Sequence, residues 1–493
     1  MKSKLLILLL LSLCSISALN GFSQTIDKQK QAKLESYMES YNKQGVFNGV
    51  VLIAEKGKPI LSKGYGFANI EFQVPNTPAT KFMIASVSKT FTAVAIMRLI
   101  DQGKLSIDSK LSDVLKWYRT DAGNEVTVKH LLNHTSGIPN YLNMKNRTVD
   151  DAMKEWGNGP IDKTDFAKKY CMRDLEYKPG TIWMYNNSGY FLLGLIIEEV
   201  TGKTYEEAIH ELILDPLGML NSDDRQPNPY MIVDNLATGY MRQFSRFTFP
   251  SYWNMSTTYA AGSLYSTSED LLKFDRALYS ESFLSKTSRD AMFTAGLSGW
   301  GCGWELRESP IGIDSTLKKI RTHEGYLMSW NTRFYQIPDE QYLIVLLSNA
   351  GNAPLEKIFK GICDILYNRT VENMKPLIAN EISKVLTSGN LEKQLDKCRT
   401  YFKIGQKSWD FDEVELNRLG YATLPDNKPA AVKIFEFITE IYPTSWNAWD
   451  SYGESLALMG SNENAIKAYE KSLALNPDNR PGKEALVKLK DIK

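Results

Sequence analysis

Ile84-Ala-Ser86-Val-Ser-Lys89-Thr-Phe-Thr-Ala93 opens a run that stays apolar on nearly every side to Asp101 and ends at Gly103. A helix with so little polar face belongs in a core, so residues 86–101 are predicted to form a buried helix. Positions i and i+3 share a helical face, which sets Ser86 beside Lys89. A serine hydroxyl becomes a useful nucleophile only when a neighbouring base takes its proton. Lysine, with an ordinary pKa of about 10.4, can do this once burial disfavours its charge. The positive end of the helix dipole pushes the same way. That end also offers a free N–H to a developing oxyanion. Ser-x-x-Lys is common by chance and taken alone reads first as an ordinary helix start with a serine cap, so its meaning depends on what accompanies it.

Two further elements accompany it. Tyr185-Asn-Asn187 precedes the apolar run Phe191–Val200, where a phenol and an amide can be aimed into a cleft. Tyr185 and Lys89, both with ordinary pKa values near ~10, would form a coupled pair for proton transfer. Asn187 can donate to a substrate carbonyl. In Thr322-His323-Glu324-Gly325-Tyr326, Gly325 permits close backbone approach, and the Tyr326 N–H is the candidate second oxyanion donor beside that of Ser86. Other chemistries find less support. His130 and His134 are four apart, but Leu131-Leu132-Asn133 between them lacks the glutamate of a His-Glu-x-x-His metal helix, so no metal site is expected. No Gly-x-Ser-x-Gly elbow and no phosphate-cradling glycine loop occurs, so no cofactor is expected.

Outward from these motifs, residues 49–69 alternate as two strands around a turn at Lys56-Gly57-Lys58. Strands are expected again at 299–306, 330–337 and 341–348, followed by a helix at 355–367. Strands at both ends of a helical and loop-rich middle predict an α+β domain whose antiparallel sheet joins the two ends of the segment. Past about residue 370 only helical periodicity remains. Residues 446–479 set Trp449, Gly453, Ala465 and Tyr469 in a 34-residue frame, repeated loosely by Gly420, Ala431, Phe435 and Pro443. That frame resembles a tetratricopeptide repeat, a possible seat for a protein partner, and 381–386 with 391–402 form a degenerate earlier pair. The expected division is a signal peptide at 1–23, a catalytic domain at 24–370, a linker at 371–379 and a helical domain at 380–493.

The leader has Lys2 and Lys4 before the apolar stretch Leu5–Leu13, with a small-x-small site at Gly21-Phe22-Ser23; that layout is a secretory signal, too short for a membrane span. Leu13 is bulky for a lipidation motif at Cys14, so a lipoprotein is disfavoured. The chain has 58 Lys+Arg against 57 Asp+Glu, which gives no field to draw nucleic acid or an anionic membrane. Cys171, Cys302, Cys363 and Cys398 show no framework spacing and are expected as buried small hydrophobes, with room for one bonded pair.

Ser86-Val-Ser-Lys89, Tyr185-Asn-Asn187 and His323-Glu-Gly325, in that order, resemble the three motifs of the serine β-lactamase and penicillin-binding family, most closely its class C β-lactamase-related hydrolases. Val128–Pro139 and Ala261–Leu272 carry the likeness further, over about residues 28–368. The resemblance implies an antiparallel sheet flanked by helices plus an all-helical lobe, with the site between them. It implies acyl transfer through Ser86, with Lys89 or Tyr185 as base and with Asn187, His323 and Gly325 at the substrate. An exported hydrolase of small amides, esters or peptides follows; the alternative is an inactive scaffold whose repeats recruit a partner. Two departures bear on substrate. Glu324 replaces the hydroxyl that helps bind a substrate carboxylate in many relatives, and is expected to repel that group. Ser329 stands where relatives often have glycine, and is expected to reshape the rim. A D-amino peptidase or esterase is therefore expected before a true β-lactamase.

Overall fold

The two apolar runs after Phe47 fold as a hairpin in the computed structural model, which describes residues 28–142, 148–157, 159–225, 232–244, 246–312, 315–386, 389–405 and 408–491. The proposed signal peptide and Cys14 lie outside them. β1 (Gly49–Glu55) and β2 (Lys58–Tyr65) pair antiparallel. Lys56 and Gly57 both take positive φ, 51° and 80°, the backbone of a two-residue turn whose twist matches its strands. β3 (Glu305–Ser309), β4 (Lys318–Leu327), β5 (Trp330–Ile337) and β6 (Tyr342–Ser348) complete a six-stranded sheet in the order β3-β4-β5-β6-β1-β2. β1 runs antiparallel to β6 from Gly49↔Ser348 to Glu55↔Tyr342, so the two ends of the domain meet inside the sheet, as the strand order predicts.

Successive strand residues face opposite sides. On one side Val50, Leu52, Phe334 and Val345 join the larger core, built with α2 (Ser88–Asp101), α3 (Asn187–Thr201) and α4 (Ser268–Ala277). On the other, Val51, Ile53, Tyr335 and Ile344 pack on α1 (Lys28–Lys43) and α5 (Leu355–Leu366). The ring of Tyr335 stacks on Phe359 at 3.8 Å. α3 is the central helix of the larger core. A Cβ at its Gly194 would stand 2.4 Å from the Tyr259 ring, so glycine there lets the 259–261 turn press against α3, close to Lys89.

The structure corrects several expectations. The strand placed at 299–306 begins only at Glu305, because Gly301 N bonds back to Trp304 O at 2.9 Å and Gly303 takes φ 85°. β4, which carries His323-Glu-Gly325, was not expected as a strand; its charged residues hide the alternation, and it is held by pairing on both edges. The middle of the domain adds a small sheet of Phe82–Met83, Leu264–Ser266 and Asp223–Asp224, and a hairpin of Met241–Gln243 with Arg246–Thr248. All four described cysteines are free and buried, so there is no bonded pair among them.

The tail comprises α6 (Ile378–Ser383), α7 (Leu391–Lys403), α8 (Glu413–Thr423), α9 (Lys428–Ile441), α10 (Trp446–Leu458), α11 (Asn462–Leu475) and α12 (Arg480–Asp491). A Cβ at Gly420 would fall 2.4 Å from the Phe435 ring, and one at Gly453 would fall 3.1 Å from the Tyr469 ring, so α8–α9 and α10–α11 repeat one small-on-aromatic contact. The segment before α6 is anchored to the catalytic domain. Leu377 is buried with the α1–α5 core, and Met374 N bonds Ser40 Oγ at 2.8 Å.

Candidate active site

Ser86 is not on the first turn of the long helix. Residues Ala85–Val87 form a 3₁₀ turn and α2 starts at Ser88. Ala85 holds φ 47°, a left-handed conformation that costs a non-glycine residue about 1 kcal/mol or more. Three long-range contacts maintain it. Ile84 N bonds Leu264 O at 2.9 Å, Thr332 Oγ1 donates to Ile84 O at 3.0 Å, and Gly325 lies so close that a Cβ there would meet Ile84 O at 2.1 Å. Gly325 therefore lets β4 approach the backbone that presents Ser86.

Lys89 is fully buried. Its Nζ lies 3.0 Å from Ser86 Oγ and donates to Ala261 O at 2.7 Å; no salt bridge to it occurs among the described residues. Burial without a counter-charge holds the amine well below the usual lysine range. The ammonium position also sits 5.0 Å from the Tyr185 ring centroid and 5.6 Å from that of Tyr190. Tyr185 stands just before α3, and burial drives its phenol well above the ordinary value. The amine is thus biased toward the neutral base and the phenol toward the neutral acid.

The loop before α3 is held by Asn186 and His134. Asn186 caps α3 through Gly189 N at 2.8 Å and donates to Ile138 O. His134 is buried with φ 62°; its Nδ1 accepts from Asn186 N at 3.1 Å, and its ring lies 4.5 Å from that of Tyr185. It is a platform under the phenol. His130 instead turns back to cap its own helix through Thr127 N at 3.2 Å. Among the described residues no group of three potential metal ligands occurs.

His323 and Asn187 both line a cavity of about 690 Å³ with Ser86 at its floor. His323 Nδ1 donates to Glu324 O at 2.7 Å, which leaves Nε2 as the lone-pair nitrogen; burial and the nearby Lys89 push the imidazole down to about 3. It is therefore neutral at ordinary pH. Glu324 and Tyr326 also line the cavity. The Glu324 carboxylate pairs with Arg333, which stands directly opposite on β5. That pairing removes the net charge on which the expected repulsion rested. Ser329 does not reach the rim. It is fully buried against Gly239, and its neighbour Met328 lines the cavity instead. Four aromatic residues, Tyr141, Trp183, Trp253 and Trp300, form much of the remaining wall, with Trp183 stacked on Trp300 at 5.6 Å, beside Leu142, Thr258, Glu305 and Leu327. These loop aromatics carried no sequence signal, because their convergence depends on contacts between distant segments.

A hydroxyl 3.0 Å from a buried, uncompensated amine, with a protonated phenol in the same cavity, fits a serine hydrolase. The chain belongs to the beta-lactamase family, whose sequence model, described as "Beta-lactamase", matches residues 31–359. It is 32% identical over 350 residues to the teichoic acid D-alanine hydrolase of Staphylococcus aureus, covering 71% of this chain and 81% of that one. It is 29% identical to the putative penicillin-binding protein PbpX of Bacillus subtilis, covering 70% of this chain and 80% of that protein. Among solved structures it is similar to the octameric penicillin-binding protein homologue of Pyrococcus abyssi, with a TM-score of 0.58 and 29% identity, covering 73% and 81%.

Proposed function

We propose that this chain is an exported serine hydrolase that opens an ester or amide bond of a D-amino acyl substrate through an acyl-Ser86 intermediate. The observation that carries the reading is the 3.0 Å contact between Ser86 Oγ and the buried Lys89 Nζ. Neutral Lys89 takes the hydroxyl proton as Ser86 attacks the carbonyl carbon. The tetrahedral oxyanion rests on the N–H groups of Ser86 and Tyr326. The Tyr185 phenol, recharged from Lys89, protonates the leaving oxygen or nitrogen as its bond to carbon breaks. A water then repeats the sequence on the acyl-enzyme and frees Ser86. Asn187 donates to the substrate carbonyl side, and His323 Nε2 accepts from a substrate N–H or O–H.

The substrate class follows from the cavity and from a relative. Its aromatic wall favours an apolar group on the acyl side. With His323 neutral and Glu324 paired with Arg333, His323 offers no charge to the carboxylate of a penicillin or cephalosporin. The S. aureus relative is named for D-alanine hydrolysis from teichoic acid, which agrees with a D-amino acyl ester. Export rests on the leader at 1–23; no helix among the described residues is long and apolar enough to cross a membrane. For the tail, the recurrence of the Gly420–Phe435 and Gly453–Tyr469 contacts supports a tetratricopeptide-like reading.

A fluorophosphonate probe is expected to label the wild type and not Ser86→Ala; equal labelling of both overturns the proposal. Hydrolysis of a p-nitrophenyl ester and of D-alanine esters or amides is expected to exceed that of nitrocefin. Nitrocefin turnover above both would overturn the substrate assignment.

A further inference from the structure

A second cavity, of about 380 Å³, adjoins the catalytic one, and Met328 lines both. Met328 sits in the turn between β4 and β5 with φ 49°, so the hairpin tip is the divider. One wall of the second cavity comes from the catalytic domain, through Arg242, Phe249 and Asn352. The other comes from the tail, through Arg418 and Tyr421 of α8. The cavity thus exists only where the two parts of the chain meet.

Its charges are unbalanced. The Arg242 guanidinium pairs with one oxygen of Glu415, and Arg418 Nη1 binds the other at 2.7 Å. Two cations therefore share one carboxylate, and burial, with Arg242 nearby, pushes the Arg418 guanidinium below its usual value. The Arg242 side chain is fully buried, and its Nε and Nη1 have no hydrogen-bond partner; leaving charged donors unmatched in a buried site is costly. Arg418 keeps 30% of its side chain exposed, so it is the cation that a ligand can reach. Tyr326, on the catalytic rim, lies within electrostatic reach of Arg418. The 66% exposed ring of Phe249 stands at the same opening.

We propose that this cavity is an anion subsite of the catalytic centre, built jointly by the catalytic domain and the tail around Arg418 above Arg242, and that it takes a phosphate or carboxylate carried by the substrate away from its scissile bond. It rests on the acyl-Ser86 reading and deepens it. The substrate would be an ester or amide whose remote portion is anionic, and the tail would act as a specificity element as well as any partner-binding surface.

The test uses the full chain and separates the two readings. In calorimetric titrations of the Ser86→Ala protein, glycerol 3-phosphate, succinate or both are expected to bind saturably; which one binds tells phosphate from carboxylate. Arg418→Ala, added to that protein, is expected to weaken binding about tenfold or more, and Arg418→Lys to retain most of it. In the catalytic form, with two aryl esters alike except for a remote phosphate or carboxylate, Arg418→Ala is expected to lower the anionic-to-neutral ratio of kcat/KM about tenfold. Saturable binding of neither anion, or a ratio unmoved by Arg418→Ala in a protein with unchanged melting temperature, overturns the subsite. Fluorophosphonate labelling at Ser86 is read separately, so failure of the acyl-enzyme reading shows as lost labelling while the anion titration still reports on the subsite.

Discussion

The catalytic cavity and the helical tail handle polar groups in opposite ways. Around the cavity, Lys89, His134 and His323 are buried without a carboxylate partner, and each is biased toward its neutral form. The Nε2 atoms of both histidines lack hydrogen-bond partners in the free protein. In the tail, charges lie at the surface in pairs such as Arg399–Glu440 at 2.7 Å and Lys433–Glu392 at 2.8 Å, each worth at most about 1 kcal/mol. Its cohesion comes instead from buried aliphatic and aromatic side chains, with Gly420 and Gly453 seated on the Phe435 and Tyr469 rings. Stability is given up where chemistry needs uncompensated groups, and is conserved where the chain only has to stack. Arg242 and Arg418 are the exception at the boundary, since there the tail adopts the habit of the cavity.

The sharpest way to break this contrast is to remove the nucleophile. Ser86→Ala is expected to lower kcat by more than about 10⁴-fold without lowering the melting temperature, because a half-buried hydroxyl with strained neighbours adds little stability. Next comes Lys89→Arg, which installs a charge that cannot be neutralised and is expected to cost about 10²–10⁴-fold in kcat/KM. In the wild type, kcat/KM should rise with pH as Lys89 loses its proton well below the ordinary lysine value of 10.5; an acid limb at that ordinary value would contradict a buried neutral base.

Gly325→Ala tests the support of the nucleophile rather than the nucleophile itself. Its Cβ would meet Ile84 O at 2.1 Å and Thr332 Oγ1 at 2.3 Å, so β4 must shift. Chemical denaturation should show a loss of about 3 kcal/mol, together with a fall in kcat. A smaller effect is expected from pH. The imidazole of His323 titrates near 6.5 when unfolded and near about 3 when folded, so the unfolded chain binds the extra proton. Stability is therefore full above pH 6.5 and lost as pH falls toward 3, by about 2 kcal/mol between pH 7 and 5. His323→Gln should make that slope shallower, and His134 retains part of it because its shift has the same direction. The smallest effect falls in the tail. Gly420→Ala presses on Phe435 at 2.4 Å, but a ring can rotate, so about 1 kcal/mol of tail stability is expected to be lost with ester hydrolysis retained.

Much of the site could be read from the sequence because the spacing carries it. Ser86 and Lys89 come together from an i, i+3 relation that survives even though Ser86 lies in a 3₁₀ turn and not in the helix proper. The hairpin at 49–65 follows from alternation around a turn, and a sheet that joins the two ends of the domain follows from strands at both ends of a helical middle. β4 escaped notice because Lys318, Lys319, Arg321 and Glu324 mask its period, and its pairing on both edges decides its state. His134 under Tyr185, Ala261 O on Lys89 and the burial of Ser329 escaped for another reason: each joins residues dozens to hundreds of positions apart.

Local order in the chain therefore determined the family and the placement of Ser86 beside its amine. Those properties depend on side-chain types at short, fixed separations, which helix and strand geometry convert directly into proximity. The tertiary structure decided the charge state of Lys89 and His323, the pairing of Glu324 with Arg333, the aromatic residues around the cavity and the meeting of Arg418 with Arg242. Desolvation and long-range pairing are set by what packs around a group, and no separation along the chain encodes that.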